Sequence, residues 1–426
     1  MTRMRILPLL FIFLGLPFAM AQSSRPFTMS STGVQAQPGQ SPLYQNFSPS
    51  FTPSVLSPEV DVVTLFPEYL GVPFDSFANT NVLPANDPWA IKATALADAP
   101  KAAGKPHMVQ IVLTRDIVVA KAVNQNGASV VQPGWVTGCI DMTNPAYVGL
   151  GQAYVNYATW IARTFSPKYM VVAIEANLYY VNCGGDTASW RALVNIERRA
   201  YDAVKAVKSS ILAFPSYKLE ELYGQTLTGF DQTQWRALAN FKKDRLGLAT
   251  YPSSNRVGGV FINPYQLPSD YLARIKNRNW FEPRIVITET GWNSASLSLR
   301  YQGSCVYNYI YSSPEFQAAY LERLLYSASV SNFEHVSWWS YRDLIPSSVM
   351  SGCYPDSTPP YTECNGDLWC ATVNNWRATS NGWTSGFAEL AFKSFGTMGL
   401  RQYDGTPNAA SIALWQRFFA LRIVGN

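Results

Sequence analysis

Short apolar runs rich in β-branched residues alternate along the chain with longer stretches of helical period. The runs are Val60–Phe66, His107–Leu113, Met170–Ile174, Ile211–Phe214, Leu246–Tyr251, Ile285–Ile287 and Val336–Tyr341. Each is too short for a helix and apolar without alternation, as in strands buried on both faces. Between them lie predicted helices at Trp89–Ala103, from Asn144-Pro145 to Phe165, Trp190–Val207, Gln232–Lys243, Ser269–Lys276 and Phe316–Ser329, with a last one at Ala409–Leu421. Strands alternating with helices call for a parallel sheet with right-handed crossovers. Seven strands are visible and eight would close a barrel, so a first strand is expected in the Pro- and Ser-rich stretch Tyr44–Phe51. An open doubly wound sheet would usually carry a Gly-rich phosphate turn early in the chain, and none is present. The expected fold is α/β, a (β/α)8 TIM barrel with long disulfide-bearing loops on its C-terminal face.

The N-terminus changes the picture of where the protein works. Arg3 and Arg5 precede an apolar stretch, Ile6–Phe18, and a small-residue site, Ala19-Met20-Ala21. This reads as a signal peptide over 1–21, too short for a membrane span. Residues 22–44 are rich in Ser, Gln, Pro and Gly and read as a flexible leader, which leaves 45–426 as one barrel domain. The expectation is a secreted or periplasmic monomer with no stable membrane insertion after cleavage. Cys139, Cys183, Cys305, Cys353, Cys364 and Cys370 all follow the signal segment, and an even number in an exported chain suggests disulfides. Fifteen pairings are possible. Position on the predicted barrel favours Cys139–Cys183, Cys305–Cys353 and Cys364–Cys370. Net charge is +5 with the basic residues scattered, so nothing points to nucleic acid.

Two of the strands end in a glutamate. Ile285-Val286-Ile287-Thr288 runs into Glu289-Thr290-Gly291-Trp292, and Met170–Ile174 runs into Glu175. Barrel enzymes keep their chemistry at the C-terminal ends of the strands. Two such carboxyl groups are enough to cleave a glycosidic bond, one protonating the leaving oxygen and the other attacking the anomeric carbon or activating water. Abundant Trp and Tyr fit a cleft that stacks on sugar rings, although most of them belong to the core.

The string Ile287-Thr288-Glu289-Thr290-Gly291-Trp292 resembles the nucleophile strand of clan A glycoside hydrolases, retaining (β/α)8-barrel enzymes. The likeness is nearest to the endo-β-1,4-galactanases and β-1,3-glucanases. The resemblance implies that Glu289, ending the seventh strand, is the nucleophile. It implies that Glu175, ending the fourth, is the acid/base. Tyr251 matches a sixth-strand Tyr that hydrogen-bonds the nucleophile, and Trp338 or Trp339 matches an eighth-strand Trp under the sugar. The tail Gly399-Leu400-Arg401-Gln402-Tyr403-Asp404-Gly405-Thr406-Pro407, followed by a helix with Trp415, is similar to the family's ending. One position departs: the clan has Asn directly before the acid/base, and here Ile174 stands there. Asn177, two residues after Glu175, is expected on the same side by strand alternation and could contact the substrate instead.

Further candidates for sugar contacts are Glu68, Arg115 with Asp116, Lys218, Glu220 and Asp343. Trp292 reads either as a stacking platform or as wall packing. His335, at the start of the last strand, lies at the face opposite the site and reads as structural. No cofactor or metal is expected, since the chain has two His and neither is near a Cys. The partner expected is a β-linked polysaccharide or oligosaccharide. The departure at Ile174 also keeps open a non-catalytic carbohydrate-binding protein on the same barrel. An esterase would need a nucleophilic Ser with a His base, and no Gly-x-Ser-x-Gly occurs. A metal-dependent deacetylase would lack its His ligands.

Overall fold

The structure is a computed structural model. It describes residues 24–32, 59–115, 118–119, 145–224, 226–257, 260–276, 284–301, 304–331, 333–345, 347–352, 390 and 393–424. Eight parallel strands close into a barrel in the order of the chain. They are β1 (Thr28–Thr32), β2 (Val62–Leu65), β3 (His107–Gln110), β4 (Tyr169–Ala173), β5 (Leu212–Lys218), β6 (Leu246–Thr250), β7 (Ile285–Thr290) and β8 (His335–Trp338). β8 pairs with β1, which closes the ring.

The first strand is not where the hydropathy pattern put it. It lies at Thr28–Thr32, inside the stretch expected to be a flexible leader, and the Tyr44–Phe51 region lies outside the described residues. The barrel domain therefore begins before residue 45. The strand escaped notice because Met29 is its one apolar residue. Its hydroxyls are satisfied inside the barrel instead: Thr28 Oγ1 lies 2.8 Å from His335 Nδ1, and Ser30 Oγ lies 2.8 Å from His335 Nε2. Ser30 also meets Thr64 Oγ1 at 2.9 Å, and Thr64 meets Ser337 Oγ at 3.1 Å. A polar strand can thus be buried over Thr28–Ser31 because its buried hydroxyls find partners.

The strand start is clamped from outside. Arg25 donates to both oxygens of Asp61, at 2.8 and 3.0 Å, and the same carboxylate accepts the Met29 amide at 2.7 Å. A short parallel pairing of Ser24–Arg25 with Arg422–Ile423 joins the described chain ends at the N-terminal face.

The helices begin where side chains can cap them. Asp87 accepts from Ala90 N ahead of Pro88–Ala102, and Thr187 accepts from Trp190 N ahead of Ala188–Val207. Asp231 does the same for Gln232–Leu238, and Ser313 for Pro314–Val330. Such caps satisfy amide groups that the helix itself leaves bare. The helix expected over Ser269–Lys276 is instead a run of turns, and the one expected to reach Lys243 stops at Leu238. One large core fills the barrel and the helix layer. A small second cluster sits under the hairpin Leu297–Tyr301 and Ser304–Ile310, which follows β7.

Among the described residues no helix is long and apolar enough to cross a membrane, and no cluster of His, Cys, Asp or Glu could hold a metal ion. Cys183 and Cys305 are disulfide-bonded. The other four cysteines, and with them the expected pairing, lie outside the described residues.

Candidate active site

Glu289 belongs to β7 and is 1% exposed. The strand carries an irregularity here. Against β6, Ile287 pairs with Leu248 and Glu289 with Ala249, so Thr288 is an extra residue. Against β8 the register shifts between Ile287 and Thr290. A bulge of this kind re-aims side chains and leaves a backbone group without its ladder partner. Gln110, fully buried on β3, meets that need by donating to the Thr288 carbonyl at 3.0 Å.

Tyr251 directly follows β6 and donates its phenol hydrogen to Glu289 Oε2 at 3.1 Å. The residues just beside this pair join the same strands. Thr290 Oγ1 donates to the Thr250 carbonyl at 2.8 Å, and the Trp339 amide donates to the Thr290 carbonyl at 2.5 Å. Glu289 is thus held from both neighbouring strands.

Glu175 lies just past the end of β4, 6% exposed, with φ of +48°. That left-handed conformation is uncommon for a residue with a Cβ and costs on the order of 1 kcal/mol. The chain turns there into a short helix, Ala176–Asn182. The Glu175 amide donates to Ser216 Oγ on β5 at 3.0 Å, which pins the turn. Ser340, with φ of +77°, makes a second such turn two residues beyond β8. Backbone strain of this sort gathers at functional rims.

The expectation for Asn177 is overturned. Strand alternation does not apply, because residue 177 is already helical. Its side chain is completely buried and fully used. It donates to the Lys218 carbonyl at 2.9 Å and to Gln234 Oε1 at 2.9 Å, and accepts the Lys218 amide at 2.7 Å. Asn177 therefore fastens the turn after Glu175 to the end of β5 and does not face a substrate.

Of the two readings of Trp292 the structure supports wall packing, and of the pair Trp338 and Trp339 it leaves Trp338 in the core. Trp292 and Trp338 are both 0% exposed. The Trp292 indole donates to Ser312 Oγ at 3.0 Å, and its ring lies 5.1 Å from Tyr320. The Trp338 indole donates to the Met398 carbonyl at 2.7 Å. Each is wall packing, with the polar tip engaged by protein as buried Trp requires. Trp339 differs. It belongs to an arc of rings, edge-on to Phe66 at 5.4 Å and to Phe395 at 5.6 Å, and Phe395 in turn meets Tyr251 at 5.1 Å.

Sequence reasoning missed Phe395 because it comes from a segment with no strand signal. Asn293 holds that segment in place, donating to the Ser394 carbonyl and accepting the Thr397 amide. Gly291 lets it approach: a Cβ there would sit 2.5 Å from Met398 Sδ.

The remaining candidates divide. The side chains of Glu68 and Arg115, and Asp116 as a whole, lie outside what is described. Asp343 is buried and accepts the Gly399 amide at 2.7 Å, and burial pushes its carboxyl well above the usual range. It serves the loop after β8. Glu220 is buried among hydroxyl groups behind Thr250. His335 is completely buried among Thr28, Ser30 and the Tyr169 ring, a structural position.

These eight closed strands with their helices define a (β/α)8 barrel with two buried glutamates at the ends of its fourth and seventh strands. Several solved structures are similar to the chain. A GH5_18 protein from Streptomyces cattleya in complex with Manb1-4GlcNAc matches with a TM-score of 0.55 at 13% identity, over 94% of this chain and 82% of that one. The Ignisphaera aggregans GH53 catalytic domain matches with a TM-score of 0.49 at 14% identity, over 96% and 98%. A β-glucuronidase from Ruminococcus gnavus matches with a TM-score of 0.44 at 12% identity, over 93% of this chain and 52% of its own, so this chain spans about half its length. No protein-family model matches the chain, and no curated protein does.

Proposed function

We propose that the protein is an exported glycoside hydrolase that cleaves β-glycosidic bonds by a two-glutamate retaining mechanism. The observation that carries this reading is the hydrogen bond from Tyr251 to the buried carboxyl of Glu289, with Glu175 ending a strand of the same face. Glu289 attacks the anomeric carbon while Glu175 protonates the leaving oxygen. Glu175 then removes a proton from the water that releases the glycosyl-enzyme. The Tyr251 hydroxyl donates to Oε2, which steadies the ionised nucleophile and directs its other oxygen. Trp339, in the aromatic arc, forms the wall beside the sugar. The disulfide bonding of Cys183 and Cys305 supports an oxidising compartment, and so export.

The likeness in fold to a GH5_18 protein crystallised with Manb1-4GlcNAc agrees with a β-linked glycan as substrate. The test is hydrolysis of a panel of β-linked oligosaccharides, with the anomer of the first product followed by NMR. Retention with loss of turnover in Glu289→Gln is expected. Inversion would move Glu289 to the role of base, and binding without cleavage would make the protein a carbohydrate-binding barrel.

A further inference from the structure

Behind the Tyr251–Glu289 pair lies a group that this chemistry leaves unassigned. Glu220 follows β5 and is 2% exposed. Its Oε1 is 2.7 Å from Thr250 Oγ1 and 2.5 Å from the Tyr271 hydroxyl. The two hydroxyls are themselves 2.8 Å apart. Three oxygens therefore form a closed ring with a hydrogen-bonding distance on each side.

Each side needs one proton. Thr250 and Tyr271 bring one each. With an ionised carboxylate both would point at Oε1, and two hydroxyl oxygens would face each other across 2.8 Å with no hydrogen between them. A carboxylic acid brings the third proton and every side is filled. The second oxygen, Oε2, is buried with no hydrogen bond among the described residues, which disfavours a full negative charge. Burial pushes the carboxyl up, against the Lys218 ammonium, the two hydroxyls and its own backbone amide, which favour its charge.

We propose that Glu220 is a positioning residue that works as a neutral carboxylic acid: its proton completes the ring that ties the end of β5 to β6 and so holds Tyr251 and Glu289 in register. Its reach to Glu289 is short. Thr250 precedes Tyr251, and the Thr250 carbonyl accepts Thr290 Oγ1 next to Glu289. On the other side, Lys218 is fastened to Asn177 beside Glu175. Glu220 thus sits in the middle of a belt of hydrogen bonds running from one glutamate to the other. A neutral acid gives that strength without placing another negative charge behind the nucleophile. The positioning role rests on the hydrolase reading; the protonation does not.

Two measurements on the full mature chain separate the claims. The infrared difference spectrum of wild type minus Glu220→Gln at neutral pH should show the carbonyl band of a protonated carboxyl. Carboxylate bands alone would overturn the proposal whether or not the protein hydrolyses anything. On an aryl β-glycoside, Glu220→Ala should lower kcat on the order of 10- to 100-fold with KM within about twofold, as expected for misplaced reacting groups. Glu220→Gln, uncharged and able to hydrogen-bond, should recover most of the loss. Equal damage in both variants would mean that the charge is what matters and would overturn the proposal, as would wild-type kcat in Glu220→Ala. Tyr271→Phe removes one oxygen and with it two sides of the ring, and should lower kcat in the same way, so the test survives if Glu220→Ala fails to fold. A wild type that cleaves no glycan would sink the hydrolase reading and leave the infrared result standing.

Discussion

The hydroxyl of Tyr251 lies 3.1 Å from Oε2 of Glu289, on the neighbouring strand, and both residues are buried. Hydrogen bonds to a charged group contribute about 1.5–3 kcal/mol. Tyr251→Phe keeps the ring packed on Phe395 and removes that bond. Its expected effect is a fall in kcat on the order of 10- to 100-fold, with little change in thermal midpoint. Kinetics and a melting curve on the same preparation check this. Unchanged kcat would show that Glu289 does not depend on the phenol.

The two adjacent tryptophans at the end of β8 should fail in different ways. Trp338 is 0% exposed and hydrogen-bonded to the Met398 carbonyl, so Trp338→Ala empties the core at a cost of about 3–5 kcal/mol. Trp339 borders the aromatic arc beside Tyr251. Trp339→Phe keeps a ring there, so the fold should survive while KM for oligosaccharides rises several-fold. Chemical denaturation and saturation kinetics distinguish the two; a Trp339→Phe enzyme with unaltered KM would remove Trp339 from the sugar site.

Asn177 bonds both backbone groups of Lys218, so Asn177→Ala removes a hydrogen bond from each of these half-buried groups together. A typical hydrogen bond contributes a net of about 0.5–1.5 kcal/mol, so the two together contribute about 1–3 kcal/mol. The variant should be less stable by roughly that amount and should lose kcat, because the turn at Glu175 is no longer anchored to β5. A direct sugar contact would instead raise KM and leave stability intact. Denaturation together with a kcat and KM measurement decides between them.

What the sequence made legible follows from which forces act over short distances along it. Apolar runs such as Val62–Leu65 and Ile285–Ile287 are buried on both faces, and that need is written locally in residue type. The glutamates after them were visible because a carboxyl group ending such a run is conspicuous. β1 was not visible, since Thr28 and Ser30 are satisfied by His335, which is 305 or more positions away in the chain. The place of Asn177 is not legible locally, because the turn at Glu175, set by a left-handed φ and by Ser216 on another strand, ends the strand alternation before it. The Glu220 ring likewise needs β6 and Tyr271 to be in place, and neither is near it in sequence. Partners across the barrel decide the polar sites, and one-dimensional patterns do not carry them.

The interior histidine that completes β1 should make the fold sensitive to acid. Burial drives the His335 imidazole down to about 3, with the positive charges of Lys168 and Arg25 adding to the shift. Its folded value thus lies below the ordinary 6.5. Below 6.5 the unfolded chain takes up a proton that the folded one refuses. The stabilisation is therefore complete above 6.5 and is lost progressively as pH falls towards 3. The slope reaches about 1.4 kcal/mol per pH unit for one proton. His107 is shifted the same way by burial, so a wild-type slope alone would not isolate His335. The difference between wild type and His335→Gln does, since His107 and the carboxylates contribute equally to both. Between roughly pH 5 and 6.5, urea unfolding should show wild type losing stability more steeply than the variant by up to about 1.4 kcal/mol per unit. Parallel slopes would mean that His335 is protonated in the folded barrel. In that case the Thr28 and Ser30 hydroxyls could only accept from the ring, and the hydrogen-bond pattern that admits β1 to the core would have to be redrawn.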